Sequence, residues 1–307
     1  MTIEIRTGTA RRVSPHGDID LVYEDMGRPE DPAVLLIMGL GAQLLLWPKG
    51  LCDKLVDAGY RVIRYDNRDV GLSTKIEGKH TGSALAPRMA RSFVGLASPA
   101  VYNLEDMAGD AAAVLDHLNI EQAHIVGGSM GGMIAQVFAA KYPQRTRSLG
   151  IFFSSNNQAF LPPPGPKQLQ VITTRPKDTS REGVIANSMK VARIIGSQAP
   201  HARTEQKLRA DAIESYERSY YPVGVARQFS AILGSGSLLT YDKIITAPTV
   251  VIHGKADRLM RPSGGRAIAR AIRGARLVLI DGMGHDLPES LWDRFVSELT
   301  ANFAQAR

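Results

Sequence analysis

Apolar and polar positions follow two different rhythms along this chain. Asp18-Ile19-Asp20-Leu21-Val22-Tyr23-Glu24 alternates, as a strand with one buried face does. With residues 3–13 it predicts an antiparallel hairpin at a sheet edge, turning at Pro15-His16-Gly17-Asp18. Ala33-Val34-Leu35-Leu36-Ile37-Met38 is apolar without a break, the mark of a strand covered on both faces. Further inner strands are predicted at 61–65, 122–126, 147–153, 249–252 and 275–280. Helical periodicity separates them at about 47–58, 103–118, 133–140, 262–273 and 289–303, and residues 74–100 read as loop and short helix. Asn103 is placed to cap its helix, with Glu105 and Asp106 in the first turn, where acids favour the helix dipole. Strand–helix alternation of this kind predicts a mostly parallel sheet wound with helices on both faces.

The alternation stops between 156 and 244. Helical patterns remain there, at about 167–174, 181–196, 203–219 and 224–233, with no convincing strand. Leu161-Pro162-Pro163-Pro164-Gly165-Pro166 opens the segment. The expected organisation is therefore one α/β core, 1–155 and 245–307. A helical cap, 156–244, is inserted after the sixth core strand.

One turn carries candidate chemistry. The apolar run Ala123-His124-Ile125-Val126 enters Gly127-Gly128-Ser129-Met130-Gly131-Gly132, and a helical pattern leaves it. A Ser at the tip of a strand–turn–helix needs glycine on both sides, because side chains would clash where the strand folds back. The helix that follows aims its first N–H groups at the point where negative charge develops in acyl transfer. Read blandly, it is a glycine-rich turn with an incidental Ser.

Composition narrows the class. The 307 residues are 44% hydrophobic and 22% charged, enough for a large core. The N-terminus shows no signal-peptide pattern, and apolar runs stop far short of the roughly 20 residues a membrane span needs. Cys52 is the single cysteine, which suits a reducing, cytoplasmic setting. Net charge is +7, yet the basic residues are scattered and not interleaved with aromatics, so nucleic acid is not an expected partner. Between 156 and 244 Lys and Arg outnumber Asp and Glu by 12 to 7, read as a solvated surface rather than an anion funnel. A homodimer is left open.

A Ser nucleophile needs a base, and the base needs an orienting acid. In open α/β sheets such groups gather beyond the carboxyl ends of strands. After strand 249–252 comes His253-Gly254-Lys255-Ala256-Asp257, and after strand 275–280 comes Asp281-Gly282-Met283-Gly284-His285-Asp286. His285, in a glycine loop beyond the last strand, is the expected base. Asp257 is its expected partner: Asp286 would have to fold back on its neighbour, and Asp281 lies too close to its strand. His124 and His253 read as structural, His117 lies on a helix, and His16, His80 and His201 fall in turns or loops. The oxyanion donors are expected to be the backbone N–H groups of Met130 and of Leu40, in the turn after strand 33–38. Gly39-x-Gly41 lacks the third glycine of a dinucleotide fingerprint, since position 44 is Leu, so a nicotinamide site is rejected. No metal-binding spacing appears, and no cofactor is expected.

With these stretches, and with Asp66-Asn67-Arg68-Asp69-Val70-Gly71-Leu72-Ser73, the chain resembles α/β-hydrolase-fold serine esterases. Met-Gly at the turn and Asp-x-Arg-Asp-x-Gly-x-Ser after the next strand resemble the aclacinomycin-methylesterase-like branch. The resemblance covers about 1–155 and 245–307. It implies Ser129 as nucleophile, His285 as base and Asp257 as its partner, with Asp66 and Arg68 holding the loops beside the oxyanion turn. Asp69 stands where many relatives have Gly, and Met38 where they have His. Ser129 argues against the branches with an Asp nucleophile. The expected activity is hydrolysis of carboxylic esters of small to medium size. Leu161, Tyr220, Tyr221 and Phe229 of the cap are expected to line the pocket. A perhydrolase, haloperoxidase or C–C bond hydrolase with the same three residues is the alternative, and a non-catalytic receptor on the same fold is a third reading.

Overall fold

The computed structural model describes residues 3–14, 17–78, 84–174 and 178–306; Pro15 and His16 of the expected hairpin turn, and His80, lie outside them. Among the described residues one sheet holds β1 (Ile5–Ser14), β2 (Gly17–Met26), β3 (Ala33–Ile37), β4 (Arg61–Tyr65), β5 (Ala123–Gly128), β6 (Thr146–Phe152), β7 (Thr249–Gly254) and β8 (Arg276–Ile280). Their order is β1-β2-β4-β3-β5-β6-β7-β8. β1 and β2 pair antiparallel, and β2 pairs antiparallel with β4; every neighbour beyond is parallel.

The two rhythms of the sequence have a simple cause. In β2, Ile19, Leu21 and Tyr23 are buried while Asp18 and Asp20 face water. In β3 both faces are covered. Ala33, Leu35 and Ile37 pack toward α3 (Leu104–His117) and α4 (Met130–Lys141). Val34 and Leu36 pack toward α1 (Lys49–Asp57) and α11 (Trp292–Phe303) on the other face. α2 (Leu85–Phe93) falls in the stretch expected to hold a short helix, and α10 (Pro262–Ala271) packs beside β7 and β8. α3 starts as its sequence predicts. Asn103 accepts hydrogen bonds from the N–H groups of Glu105 and Asp106, and Asp106 accepts from Asn103 N–H at 3.0 Å. A reciprocal cap of this kind is worth about 1 kcal/mol.

Between β6 and β7 the chain forms α5 (Pro166–Thr173), α6 (Arg181–Ile195), α7 (Glu205–Arg218), α8 (Pro222–Ser235) and α9 (Leu239–Asp242). α6 and α7 share a small apolar cluster of their own, Ile185, Met189, Leu208 and Ala212. Ala231 of α8 and Leu238 beside α9 pack into the main core instead. Where the segment leaves and rejoins the sheet, Asn156 Nδ2 donates to the buried Asp242 carboxyl at 2.9 Å. Burial pushes that carboxyl up to about 7, against the hydrogen bond from Asn156. No described helix is long and apolar enough to cross a membrane.

Candidate active site

β5 ends at Gly128 and α4 begins at Met130, which leaves Ser129 alone at the turn with φ 56° and ψ −122°. A side chain in this left-handed conformation is strained, by about 1–3 kcal/mol, and persists only when its surroundings impose it. They do. Ser129 N–H donates to Phe152 O at 3.0 Å, and Ser129 O accepts from Gly132 N–H at 2.9 Å and Ser154 Oγ at 2.7 Å. Gly131 presses against β3 so closely that a Cβ there would overlap the Ile37 carbonyl oxygen.

The Ser129 hydroxyl meets an imidazole. His285, five residues past the end of β8, places Nε2 2.9 Å from Ser129 Oγ. Its Nδ1 lies 2.7 Å from Asp257 Oδ2. Asp257 follows β7, and its other oxygen accepts from the N–H groups of Leu259 and Met260 at 2.8 and 2.9 Å. Burial pushes this carboxyl up, but His285 and His253 together outweigh burial and bring it down to about 2. An ionised Asp257 fixes the tautomer: Nδ1 carries the proton and Nε2 is bare toward the hydroxyl. Phe153 packs on the ring, with centroids 4.7 Å apart.

The competing residues are committed to other partners. Asp281 is exposed and pairs with Lys255 at 2.9 Å. Asp286 turns away from the ring and accepts from Ser197 N–H at 3.0 Å. His253 is fully buried and donates from Nε2 to Met260 O at 2.6 Å. His124 is bonded to Ser148 Oγ at 2.8 Å and stacked on Phe303; burial lowers it to about 4, so it is neutral.

The turn Gly39–Ala42 passes beside Ser129. A Cβ on Gly39 would lie 2.9 Å from Ser129 Cβ, so only glycine permits the approach. Gly41 N–H is taken by Gln228 Oε1 at 2.8 Å and Ala42 N–H by Gly39 O at 3.2 Å. Among the described residues Leu40 N–H has no acceptor. Met130 opens α4, so its N–H has no acceptor within the helix. Leu40 and Met130 line the same cavity as Ser129.

A buried polar frame holds this turn, and most of its members carried no sequence signal. Asn67 Nδ2 donates to Met38 O at 2.8 Å. Asp66 accepts from the N–H groups of Leu44 and Leu72 and pairs with Arg218 of α7 at 2.7 Å. Arg68 grips Asp110 with two hydrogen bonds of 2.6 Å. Asp69 sits at φ 69°, a left-handed conformation that glycine adopts most readily. Here its carboxylate takes two bonds from Arg227 of α8, at 2.8 and 2.9 Å, and one from Tyr102 Oη at 2.7 Å. Gln228 joins the two sides, donating to Arg68 O at 2.7 Å while accepting from Gly41.

A cavity of about 1200 Å³ opens over Ser129 and His285. Leu161 and Phe229 line it, together with Met89, Phe93, Met133 and Ile232. Tyr220 and Tyr221 do not, contrary to expectation. Tyr220 is 42% exposed and packs beside Tyr216. Tyr221 precedes α8 and turns to Arg227, which donates to its hydroxyl at 2.9 Å. Among the described residues no cluster of His, Cys, Asp and Glu could hold a metal ion.

Residues 32–290 match the model of the alpha/beta hydrolase fold family. The chain belongs to the α/β-hydrolase fold family. It is 26% identical to rhodomycin D methylesterase DnrP of Streptomyces peucetius, over 95% of this chain and 97% of that protein. It is 28% identical to a 2-hydroxy-6-oxononadienedioate/2-hydroxy-6-oxononatrienedioate hydrolase of Paraburkholderia xenovorans (strain LB400), over 88% and 85% of the two chains. The crystal structure of the enol-lactonase from Burkholderia xenovorans LB400 superposes with a TM-score of 0.70 at 23% identity, covering 96% of this chain and all of that one. That likeness is one of fold.

Proposed function

We propose that this α/β-hydrolase is a carboxylic ester hydrolase that works through an acyl-enzyme. The observation that carries the reading is the unbroken path from Ser129 Oγ through His285 to Asp257, at 2.9 and 2.7 Å. Ser129 Oγ attacks the ester carbonyl carbon while His285 Nε2 takes its proton. The carbonyl oxygen, now negative, is held by the N–H groups of Leu40 and Met130; one such donor is typically worth about 10²–10³ in kcat. His285 returns the proton to the alcohol oxygen as the C–O bond breaks. A water then repeats the sequence and frees the acid and Ser129. Asp257 keeps Nδ1 protonated and stabilises the imidazolium without itself taking the proton. The segment 156–244 acts as a helical cap that roofs the pocket. The buried Cys52 thiol, pushed up to about 12 by burial, is inert and suits a cytoplasmic enzyme.

The cavity favours substrates at the upper end of the expected size range or beyond it, since drug-sized ligands occupy about 300–1,000 Å³. Relatives named for 2-hydroxy-6-oxononadienedioate raise the second reading, because that compound is a keto-dicarboxylate with no ester to cleave. The charges along the cavity favour the neutral ester. Lys49 is paired with Asp53, Arg64 with Glu24, Arg203 with Asp211 and Asp286, and Lys207 with Asp211. Of the cations lining it, Arg261 alone has no carboxylate partner among the described residues; it donates to Pro163 O. Rates with p-nitrophenyl esters from acetate to decanoate test the reading. Hydrolysis is expected, best with the longer acyl chains, and Ser129→Ala is expected to abolish it. Retention of most activity by Ser129→Ala, or cleavage of keto-dicarboxylates with none of esters, would overturn it.

A further inference from the structure

Three consecutive residues around the base are tied to one stretch of the inserted segment. His285 N–H donates to Ile195 O at 2.8 Å, at the end of α6. Gly284 N–H donates to Ser197 Oγ at 2.9 Å. Ser197 Oγ in turn donates to Asp286 Oδ1, which also accepts from Ser197 N–H at 3.0 Å. The hydroxyl thus closes a ring that runs from Gly284 through Ser197 to Asp286, with His285 spanned between them. Arg203 Nε lies 3.3 Å from the second Asp286 oxygen, and Arg203 also pairs with Asp211 of α7 at 3.2 Å. The Asp286 side chain is 8% exposed, so these bonds are shielded from water. On the core side the loop is held by Met283 O, which accepts from Ala256 N–H at 3.0 Å.

We propose that Asp286, acting through Ser197, is a positioning residue for His285: it locks the histidine loop to the inserted segment so that the imidazole spans Ser129 and Asp257. Asp286 does not touch the ring, and its effect is exerted through the backbone on either side of it. The proposal rests on the acyl-transfer reading for its kinetic consequence, but its geometric content stands apart from it. A displacement of about 1 Å at a reacting group costs up to about 10² in rate.

The test uses the full chain and p-nitrophenyl acetate, which is too small to fill the cavity. Asp286→Ala is expected to lower kcat at least tenfold with KM changed less than twofold. Ser197→Ala, which keeps its backbone N–H, shifts kcat in the same direction. Asp286→Asn, which retains the oxygen that bridges to Ser197, is expected to stay within threefold of the parent. The second readout is the proton NMR signal of His285 Nδ1–H, shared with Asp257 and assigned by its loss in His285→Ala. It is expected to broaden or vanish in Asp286→Ala and to persist in Asp286→Asn. A residue that only stabilises the fold would lower the melting temperature and leave this signal and kcat unmoved; that result overturns the proposal. So does an Asn variant as impaired as the Ala one, since charge would then matter rather than the bridge. If the parent neither hydrolyses esters nor reacts with a fluorophosphonate, the acyl-transfer reading falls, and the downfield proton still decides whether Asp286 positions the ring.

Discussion

The Ser129 turn and the His285 loop meet across 2.9 Å, yet they are held by different means. Ser129 is fixed by sterics and backbone bonds between sequence neighbours and adjacent strands: Gly131 against Ile37, Ser129 N–H on Phe152 O. The His285 loop packs closely at Gly284 on Gly196, and is otherwise fixed by side-chain and backbone bonds to the inserted segment, at Ile195, Ser197 and Gln198. A steric frame is rigid and intolerant of substitution. A polar frame can be loosened bond by bond. Variation of the inserted segment therefore acts on the base, on the pocket walls and, through Gln228, on the turn carrying Leu40, ahead of the Ser129 turn.

The contrast breaks most sharply at the acid. Asp257→Asn keeps the shape but favours the wrong tautomer, and such a change costs about 10⁴ in kcat; steady-state kinetics on a p-nitrophenyl ester checks it. Next comes the steric frame. Gly131→Ala drives a methyl into the Ile37 carbonyl and is expected to cost about 3 kcal/mol or more, read by denaturant unfolding. No comparable loss is expected from Ser197→Ala.

Asp242 probes where the inserted segment rejoins the core. Its folded carboxyl holds a proton up to about pH 7, against the ordinary 3.8. Stability from this group is therefore present at low pH and is lost as pH rises through 7. Asp242→Asn removes that loss, so its stabilising effect should be larger at pH 8 than at pH 5, by about 2 kcal/mol. Because Ala231 and Leu238 share the main core, the shift should appear in one cooperative melting transition. An equal effect at both pH values would contradict the assignment. The smallest effect is expected at Gln228→Ala, which frees Gly41 and loosens the turn carrying Leu40: about tenfold in kcat with acetate and butyrate esters alike.

How far these regions could be read from sequence follows from how they are held. Six consecutive residues from Gly127 to Gly132 carry the Ser129 turn, because strand, turn and helix are local. His285 and Asp257 were legible because glycine loops beyond strand ends have one destination in a parallel sheet. Asn103 announced its helix through bonds spanning three residues. Of the polar frame only the stretch Asp66 to Asp69 left a trace, and its distant partners left none. Ser197 and Asp286 are 89 residues apart, Asp69 and Arg227 158, and Gly41 and Gln228 187. Single side-chain bonds at these separations have no period and no spacing. Tyr220 and Tyr221 were expected on the pocket wall, but Arg227, itself held by Asp69, bonds the Tyr221 hydroxyl, and Tyr220 packs beside Tyr216.

On the proposed mechanism Ser129 is the group acylated in turnover. Intact-protein and peptide mass spectrometry after brief treatment with a fluorophosphonate tests it directly. One adduct on the peptide containing Ser129, absent in Ser129→Ala and slowed in His285→Ala, is the predicted result. An unmodified Ser129 in a preparation that hydrolyses esters, or an adduct that survives in Ser129→Ala, would rule out Ser129 as the nucleophile.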